Sequence, residues 1–413
     1  MNAPHSSLAR LLGDLDALAS FVEPATRGWT RRFPSQAYLD ARVWLRTRMI
    51  AARLTTSIDA GGNLFGQRAG REDLPPIVIG SHSDSVAGGG RLDGAYGVLA
   101  ALEVARTLDE FGIQLRHPLL VADYLAEEAN DFGISCVGSR ALATGLRAEW
   151  LARTVGDTTL AAALAAHGGD PAAVAAPLLT RGAWHACLEL HIEQGPVLEA
   201  RGAALAAVSG IVGIRRGVFE LSGRADHAGT APMALRSDAL AAAAALTLAL
   251  ERLCRATPDA VGTVGRLVVE PNQANVVPER VLLTAEVRSL APEKLELIWG
   301  ALLAEGDASS EERGVMLRLL SHTDTPAALA PPLLLDQVVA ACRSLDPHAP
   351  IIASGAGHDS SQTALVAPTA MLFVPSIGGR SHTPAEDTSP EHLSLGTAAL
   401  LRAVLGVDAC DGF

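Results

Sequence analysis

Side chains able to bind a cation or move a proton stand in compact motifs far apart in the chain: His82, Asp93, Glu127, Glu128, His191 and His382. Imidazole nitrogen and carboxylate oxygen are the donors that zinc-class divalent ions accept, and two neighbouring ions need a carboxylate between them. His82, Asp93, Glu128, His191 and His382 therefore read as a two-metal ligand set, with Glu127 beside it as a base. Such a set points to hydrolysis.

Each motif carries part of that reading. His82 lies in GSHSD at 80–84, just past an apolar run, and Asp84 can orient its imidazole from behind. Asp93, in RLDGA at 91–95, falls at a loop-to-helix turn where a bridging carboxylate could sit. The glycines at 88–90 lack the GxxxxGK[ST] phosphate pattern and read as a turn. In AEEA at 126–129, adjacent carboxylates after a buried strand point in different directions, so one can bind metal while the other moves a proton. An isolated Glu pair is ordinarily a solvated helix start, and an isolated His a hydrogen-bonded structural residue. Their company changes both readings, and His191 in LHIEQG at 190–195 and His382 in RSHTPAE at 380–386 complete the set.

The elements that must position these residues are apolar runs at 77–80, 119–125, 187–190 and 370–374, each ending in one of the polar clusters. Such runs suit strands of a sheet covered on both faces. Between them, 97–111 predicts a helix with Leu99, Leu102, Val104, Ala105 and Leu108 as its apolar stripe. The pattern is α/β, and in open α/β sheets ligands gather beyond the carboxyl ends of the strands. From about 210 to 325 the order becomes strand, helix, strand, strand, helix, strand, the split βαβ or ferredoxin-like pattern. The expected organisation is a catalytic di-metal domain over 1–210 and 326–413, with an inserted domain over 211–325. The Ala-rich 160–179 reads as a surface excursion or helical loop.

Composition narrows the partners. With 413 residues the chain has room for two or three domains, and its net charge of −12, with scattered Arg, offers no phosphate-tracking stripe. Nucleic acid is not expected as a partner. The most apolar helical stretch, 239–250, is too short and Ala-rich to cross a bilayer, and no membrane association is expected. Residues 1–21 carry Asp14 and Asp16 and no basic head before an apolar run, so the expected location is the cytoplasm. The five cysteines form no CxxC pair and read as buried free thiols.

These motifs together resemble an M20-type metal-dependent amidohydrolase of the hydantoinase/carbamoylase group, which includes N-carbamoyl-L-amino acid hydrolases and allantoate amidohydrolases. The resemblance starts at TRGWTR (26–31) and DAGGN (59–63) and runs through the metal motifs to SHTPAE (381–386). HIEQG at 191–195 and GRADHAGTAPM at 223–233 separate it from ordinary M20 peptidases. It implies a zinc-exopeptidase-like αβα catalytic domain with an inserted ferredoxin-like dimerisation, or lid, domain. It further implies a first metal on His82 and His191, a second on Glu128 and His382, Asp93 bridging them and Glu127 as general base. Gln194, His227, Asn275, Arg288, Gly357 and His358 would contact substrate. Homodimers through the inserted domain are implied, and His227 could serve its own or the partner subunit's site. Ala231 stands where the family often has Thr, and Leu92 where Phe is common.

The resulting reading is hydrolysis of an amide or ureido C–N bond in a small carboxylated substrate, with an N-carbamoyl-L-amino acid as the first candidate. His227 and Asn275 would stabilise the oxyanion, and the Arg288 fork would grip the carboxylate. The cofactor would be two divalent ions, Zn2+ first, with Mn2+, Co2+ or Ni2+ tolerated by the same ligands. Allantoate or ureidoglycolate-type hydrolysis is the alternative, an M20 peptidase comes next, and a metal-free binding or scaffold protein is the reading outside enzymes.

Overall fold

The computed structural model describes residues 4–413. Residues up to Gly210 together with Leu329–Phe413 form one compact unit, and Ile211–Ala328 form a second. In chain order the elements used below are β1 (Ile77–His82), α1 (Ala95–Glu110), β2 (Leu119–Tyr124), α2 (Val137–Ala143), β3 (Ala186–Ile192) and β4 (Gly213–Ser222). They continue with α3 (Ala239–Ala256), β5 (Ala260–Glu270), β6 (Arg280–Ser289), α4 (Pro292–Glu312), β7 (Met316–Thr325), β8 (Thr369–Val374) and α5 (Pro390–Asp408).

In the first unit β2, β1, β3 and β8 lie side by side and run parallel. Their runs are largely apolar because both faces are covered. Ile77 and Ile79 pack into the large core with Val98, Leu188, Leu372 and Leu400, while Val78 joins Tyr124, Leu142 and Cys187 on the other face. Helices α1 and α5 belong to the first face and α2 to the second, an αβα arrangement. Each fully buried Val or Leu here contributes roughly 1.5–3 kcal/mol.

Helix α1 begins at Ala95, two residues before the sequence pattern suggested, and every residue from Ala95 to Leu108 is buried. A helix enclosed all round gives no one-sided stripe by which to find its start. It approaches β3 closely: a Cβ on Gly97 would lie 2.2 Å from the Leu190 carbonyl oxygen. Residues 160–179 form a helical loop, as expected, but one with a buried face. Leu160 and Leu164 on the helix Leu160–Ala166, together with Val174, pack with Tyr38, Leu125 and Phe132 in a satellite core. Through these side chains the stretch supports the loop after β2, while about half of its residues are exposed.

The second unit places its four strands in the order β5-β6-β4-β7, all pairs antiparallel, as in a ferredoxin-like sheet. Val281, Leu283, Ala285 and Val287 alternate inward along β6 and pack with Leu246 of α3 and Trp299 of α4. The intervening Glu286 and Arg288 are half-buried. All five cysteines are free thiols. No helix among the described residues is long and apolar enough to cross a membrane.

Candidate metal centre

Because β1, β2, β3 and β8 are parallel, their carboxyl ends deliver side chains to one edge. His82 is the last residue of β1, His191 lies near the end of β3, Glu127 and Glu128 follow β2, and His382 follows β8. Asp93 enters from the turn before α1. That turn needs glycine: Gly94 has φ +62, and a Cβ there would meet the His82 ring at 2.4 Å.

Asp93 faces both sides of the cluster. Its Oδ1 lies 3.6 Å from His82 Nε2 and 3.2 Å from His191 Nε2, whereas Oδ2 lies 3.1 Å from His382 Nε2. Glu128 Oε1 is 3.4 Å from the same His382 nitrogen. Two donor groups result, His82–Asp93–His191 and Asp93–Glu128–His382, and Asp93 belongs to both. A third group, Glu189–His191–His358, lies behind the first.

The residues fit cations. Asp84, Asp93, Glu127 and Glu128 are each at most 8% exposed, and burying so many carboxylates is costly without positive charge among them. Glu128 Oε1 is buried and accepts no hydrogen bond. His191 Nδ1, 2.9 Å from the Ile192 carbonyl, can only donate there, and Nε2 accepts from the Gly94 N–H at 3.0 Å. That tautomer aims a lone pair towards Asp93.

Without metal charge the carboxyls divide. Burial opposes charge on Asp93, but with no cation among the ligands protonated His191 and His382, which then carry a hydrogen on Nε2, outweigh it and hold its pKa well below the usual range. Burial pushes Glu128 up to about 7, with Asp93 adding to the effect. Burial raises Glu127 well above the usual value, helped by Glu128 and Asp359 and opposed by His82. His382 rises to about 9, chiefly through its hydrogen bond to Asp93.

Supporting contacts fix the geometry. Asp84 accepts the backbone N–H groups of both Glu127 and Glu128 at 3.2 Å and lies 3.3 Å from His82 Nδ1. Ala126, with φ +52, turns the chain so that both N–H groups reach it. Glu127 Oε1 accepts from the Cys136 thiol at 3.4 Å, while Oε2 stands 3.7 Å from His82 Nε2. Gln194 Nε2 donates to Asp93 Oδ2 at 2.7 Å, as does Ser381 Oγ at 2.8 Å.

Of the other residues singled out in the sequence, His358 is 1% exposed behind His191, with Nε2 2.8 Å from Ser354 Oγ, while Gly357 is exposed. His227, Asn275 and Arg288 belong to the second unit. His227 and Asn275 are exposed, and the loops carrying them are tied by the Ala228 N–H to the Asn275 carbonyl. Arg288 is paired with Glu286 at 2.6 Å, and Glu286 also holds Arg216.

Sequence reasoning missed two buried acids. Glu386 accepts the Leu92 and Asp93 N–H groups through Oε1 and the Ser381 hydroxyl through Oε2, joining loops nearly three hundred positions apart. Glu189 accepts from Ser81 and Ser360. A lone charge inside the apolar run of β3 was the available signal for Glu189, and the acid closing SHTPAE was the signal for Glu386.

The profile described as Peptidase family M20/M25/M40 matches residues 78–406, which span every residue of the cluster. The chain belongs to that family. It is 38% identical over 348 residues to an N-carbamoyl-L-amino acid amidohydrolase of Geobacillus stearothermophilus, covering 84% of this chain and 85% of the relative. It is 34% identical over 403 residues to a ureidoglycolate hydrolase of Arabidopsis thaliana, covering 94% and 84%. The solved structure of a hydantoinase/carbamoylase family amidase from Burkholderia multivorans superposes with a TM-score of 0.91 at 33% identity over the full length of both chains.

Proposed function

We propose that this M20 enzyme hydrolyses the ureido C–N bond of N-carbamoyl-L-amino acids, using two divalent cations held by its first unit. The observation that carries the reading is Asp93, whose oxygens face separate His-containing donor groups. His82 and His191 would hold one ion, Glu128 and His382 the other, and Asp93 both. Bound there, zinc-class ions, with manganese, cobalt and nickel equally suited to the donors, supply Lewis-acid polarisation of a carbonyl and acidify water.

The chain's own residues do the rest. Glu127 takes a proton from the attacking water and returns it to the leaving nitrogen, and the products are the amino acid, ammonia and carbon dioxide. Asp84 keeps the Glu127 backbone in place, and the Cys136 thiol occupies one carboxylate oxygen, so the other is the one turned towards His82. Gln194 fixes Asp93 from the substrate side. In the second unit, the Arg288 fork is assigned the substrate carboxylate, and His227 and Asn275 the developing oxyanion. Gly357 completes the substrate contacts at the surface, with His358 backing His191. The second unit is also assigned the homodimer contact.

Relatives named ureidoglycolate hydrolase and allantoate amidohydrolase favour a second reading on those substrates. The deciding experiment is a product assay over N-carbamoyl amino acids, allantoate, ureidoglycolate and dipeptides with metal-loaded protein. Ammonia and free amino acid from the carbamoyl compounds are expected. Faster turnover of allantoate or ureidoglycolate would select the second reading, and turnover of dipeptides alone would return the chain to peptidase chemistry.

A further inference from the structure

A pocket of about 280 Å³ in the first unit is lined by Arg140, Arg147, Arg153 and Trp150 together with the loop at Gly133 and Ser135. The guanidinium carbon of Arg147 lies 3.9 Å from the Trp150 ring centroid and that of Arg140 5.9 Å, so the indole orients both planar forks. Arg140 Nε donates to the Ser135 carbonyl at 2.9 Å, and Arg153 donates to the Phe132 and Gly133 carbonyls at 3.1 and 3.0 Å. Among the described residues, Arg140 and Arg153 meet no carboxylate, and Arg147 pairs only with the exposed Glu149.

In another arginine-rich pocket, Arg10 meets Glu103 and Glu110, Arg48 and Arg106 meet Asp14, and Arg53 meets Asp109. There the protein neutralises its own cations. In a chain of net charge −12, three clustered guanidiniums sharing a single exposed carboxylate leave donors and positive charge for an external ligand.

We propose that this pocket binds a phosphate-class oxyanion, either free or carried as the phosphoryl group of a small metabolite. Each arginine carries five N–H donors, of which backbone carbonyls use few, and a tetrahedral dianion presents matching acceptors on several sides. Binding would also stiffen the loop at 132–135, because Arg140 and Arg153 hold its carbonyls. That loop leads to Cys136, whose N–H donates to the Glu127 carbonyl at 2.8 Å. An anion here would thus act on the segment seating the proposed base without touching the metal centre.

The test follows thermal melting of metal-loaded wild type and the Arg147→Ala/Arg153→Ala variant with inorganic phosphate, glycerol phosphate, or chloride at matched ionic strength. A saturable rise in Tm is expected in wild type, with apparent affinity weakened roughly tenfold or more in the variant. Phosphate that coordinates the metals would stabilise both proteins equally, so equal shifts overturn the proposal, as does an equal effect of chloride. Activity of glycerol phosphate alone identifies a phosphorylated metabolite as the source, activity of both shows that free phosphate suffices, and activity of neither overturns the proposal. Hydrogen exchange over 131–137 should slow with the active ligand in wild type only, and unchanged exchange there would overturn the link to the loop.

Discussion

Asp93 in the first unit and Arg288 in the second are both assigned essential contacts, yet the chain secures them differently. Asp93 is 5% exposed and its carboxylate accepts from Gln194 and Ser381 while its N–H is taken by Glu386. Arg288 stands on the half-buried face of β6 in an ion pair with Glu286, and His227 and Asn275 are open to solvent. Groups that must hold charge at fixed positions need partners on every side, because an unpaired buried charge is costly. Recognition groups that exchange water for substrate need the opposite, and their strength is realised only on binding. The first unit should therefore fail abruptly when altered, and the second gradually.

The sharpest test of that contrast is Glu127→Gln, which preserves shape and removes the base. Turnover should fall by roughly two to four orders of magnitude while metal content is unchanged. Near-normal turnover, or loss of metal, would remove Glu127 from its role.

Buried titratable groups of the first unit should also make its stability depend on pH. Burial lowers His167 to about 4, against Phe33 and Tyr38. The folded pKa lies below the unfolded value, so the unfolded chain takes up the proton first. The resulting stability is present above about pH 6.5 and is lost as pH falls towards 4, up to about 3 kcal/mol. Urea unfolding of wild type and His167→Gln at pH 7 and pH 5 should show a smaller pH difference in the variant. An identical difference would place the acid sensitivity elsewhere.

Asp84→Asn sharpens the comparison at the level of support. It keeps one acceptor oxygen but cannot serve the Glu127 and Glu128 N–H groups as a symmetric carboxylate, so metal affinity or activity should drop roughly 10- to 100-fold. Titration with Zn2+ and a kcat measurement on the loaded variant separate these effects, and wild-type values for both would show the contacts to be incidental.

In the second unit the expected loss is smaller and confined to binding. Arg288→Ala should raise KM for a carbamoyl amino acid roughly tenfold, with metal content unchanged, since its ion pair is only half-buried. Arg288→Lys should recover part of that loss, because the charge returns without the fork. If the variant distinguishes a carboxylate from its amide as well as wild type does, Arg288 is a structural partner of Glu286 only.

The contrast also marks what the sequence could disclose. The strands were legible because β1, β2, β3 and β8 are largely apolar before their clusters begin, with Asp123 and Glu189 as the exceptions, and a sheet covered on both faces produces that change. The proximity of His82, Asp93, Glu128, His191 and His382 followed from parallel strands sharing one edge. Glu386 was not assignable, since its service to Leu92 and Asp93 depends on loops brought together only by folding. The packing of Leu160 and Leu164 beside Leu125 was hidden in the same way, as Ala-rich sequence carries little trace of which face it buries. Arg140, Arg147 and Arg153 looked scattered because their grouping depends on how short segments turn back around Trp150.

The most direct test of the central claim is metal stoichiometry at equilibrium, by mass spectrometry after dialysis against limiting Zn2+, for wild type, His82→Ala and Asp93→Ala. Two ions per chain are expected in wild type, one in His82→Ala, and weakened binding of both in Asp93→Ala because the shared carboxylate is gone. Two ions bound by Asp93→Ala with unchanged affinity would contradict the bridge and, with it, the dinuclear reading of this centre.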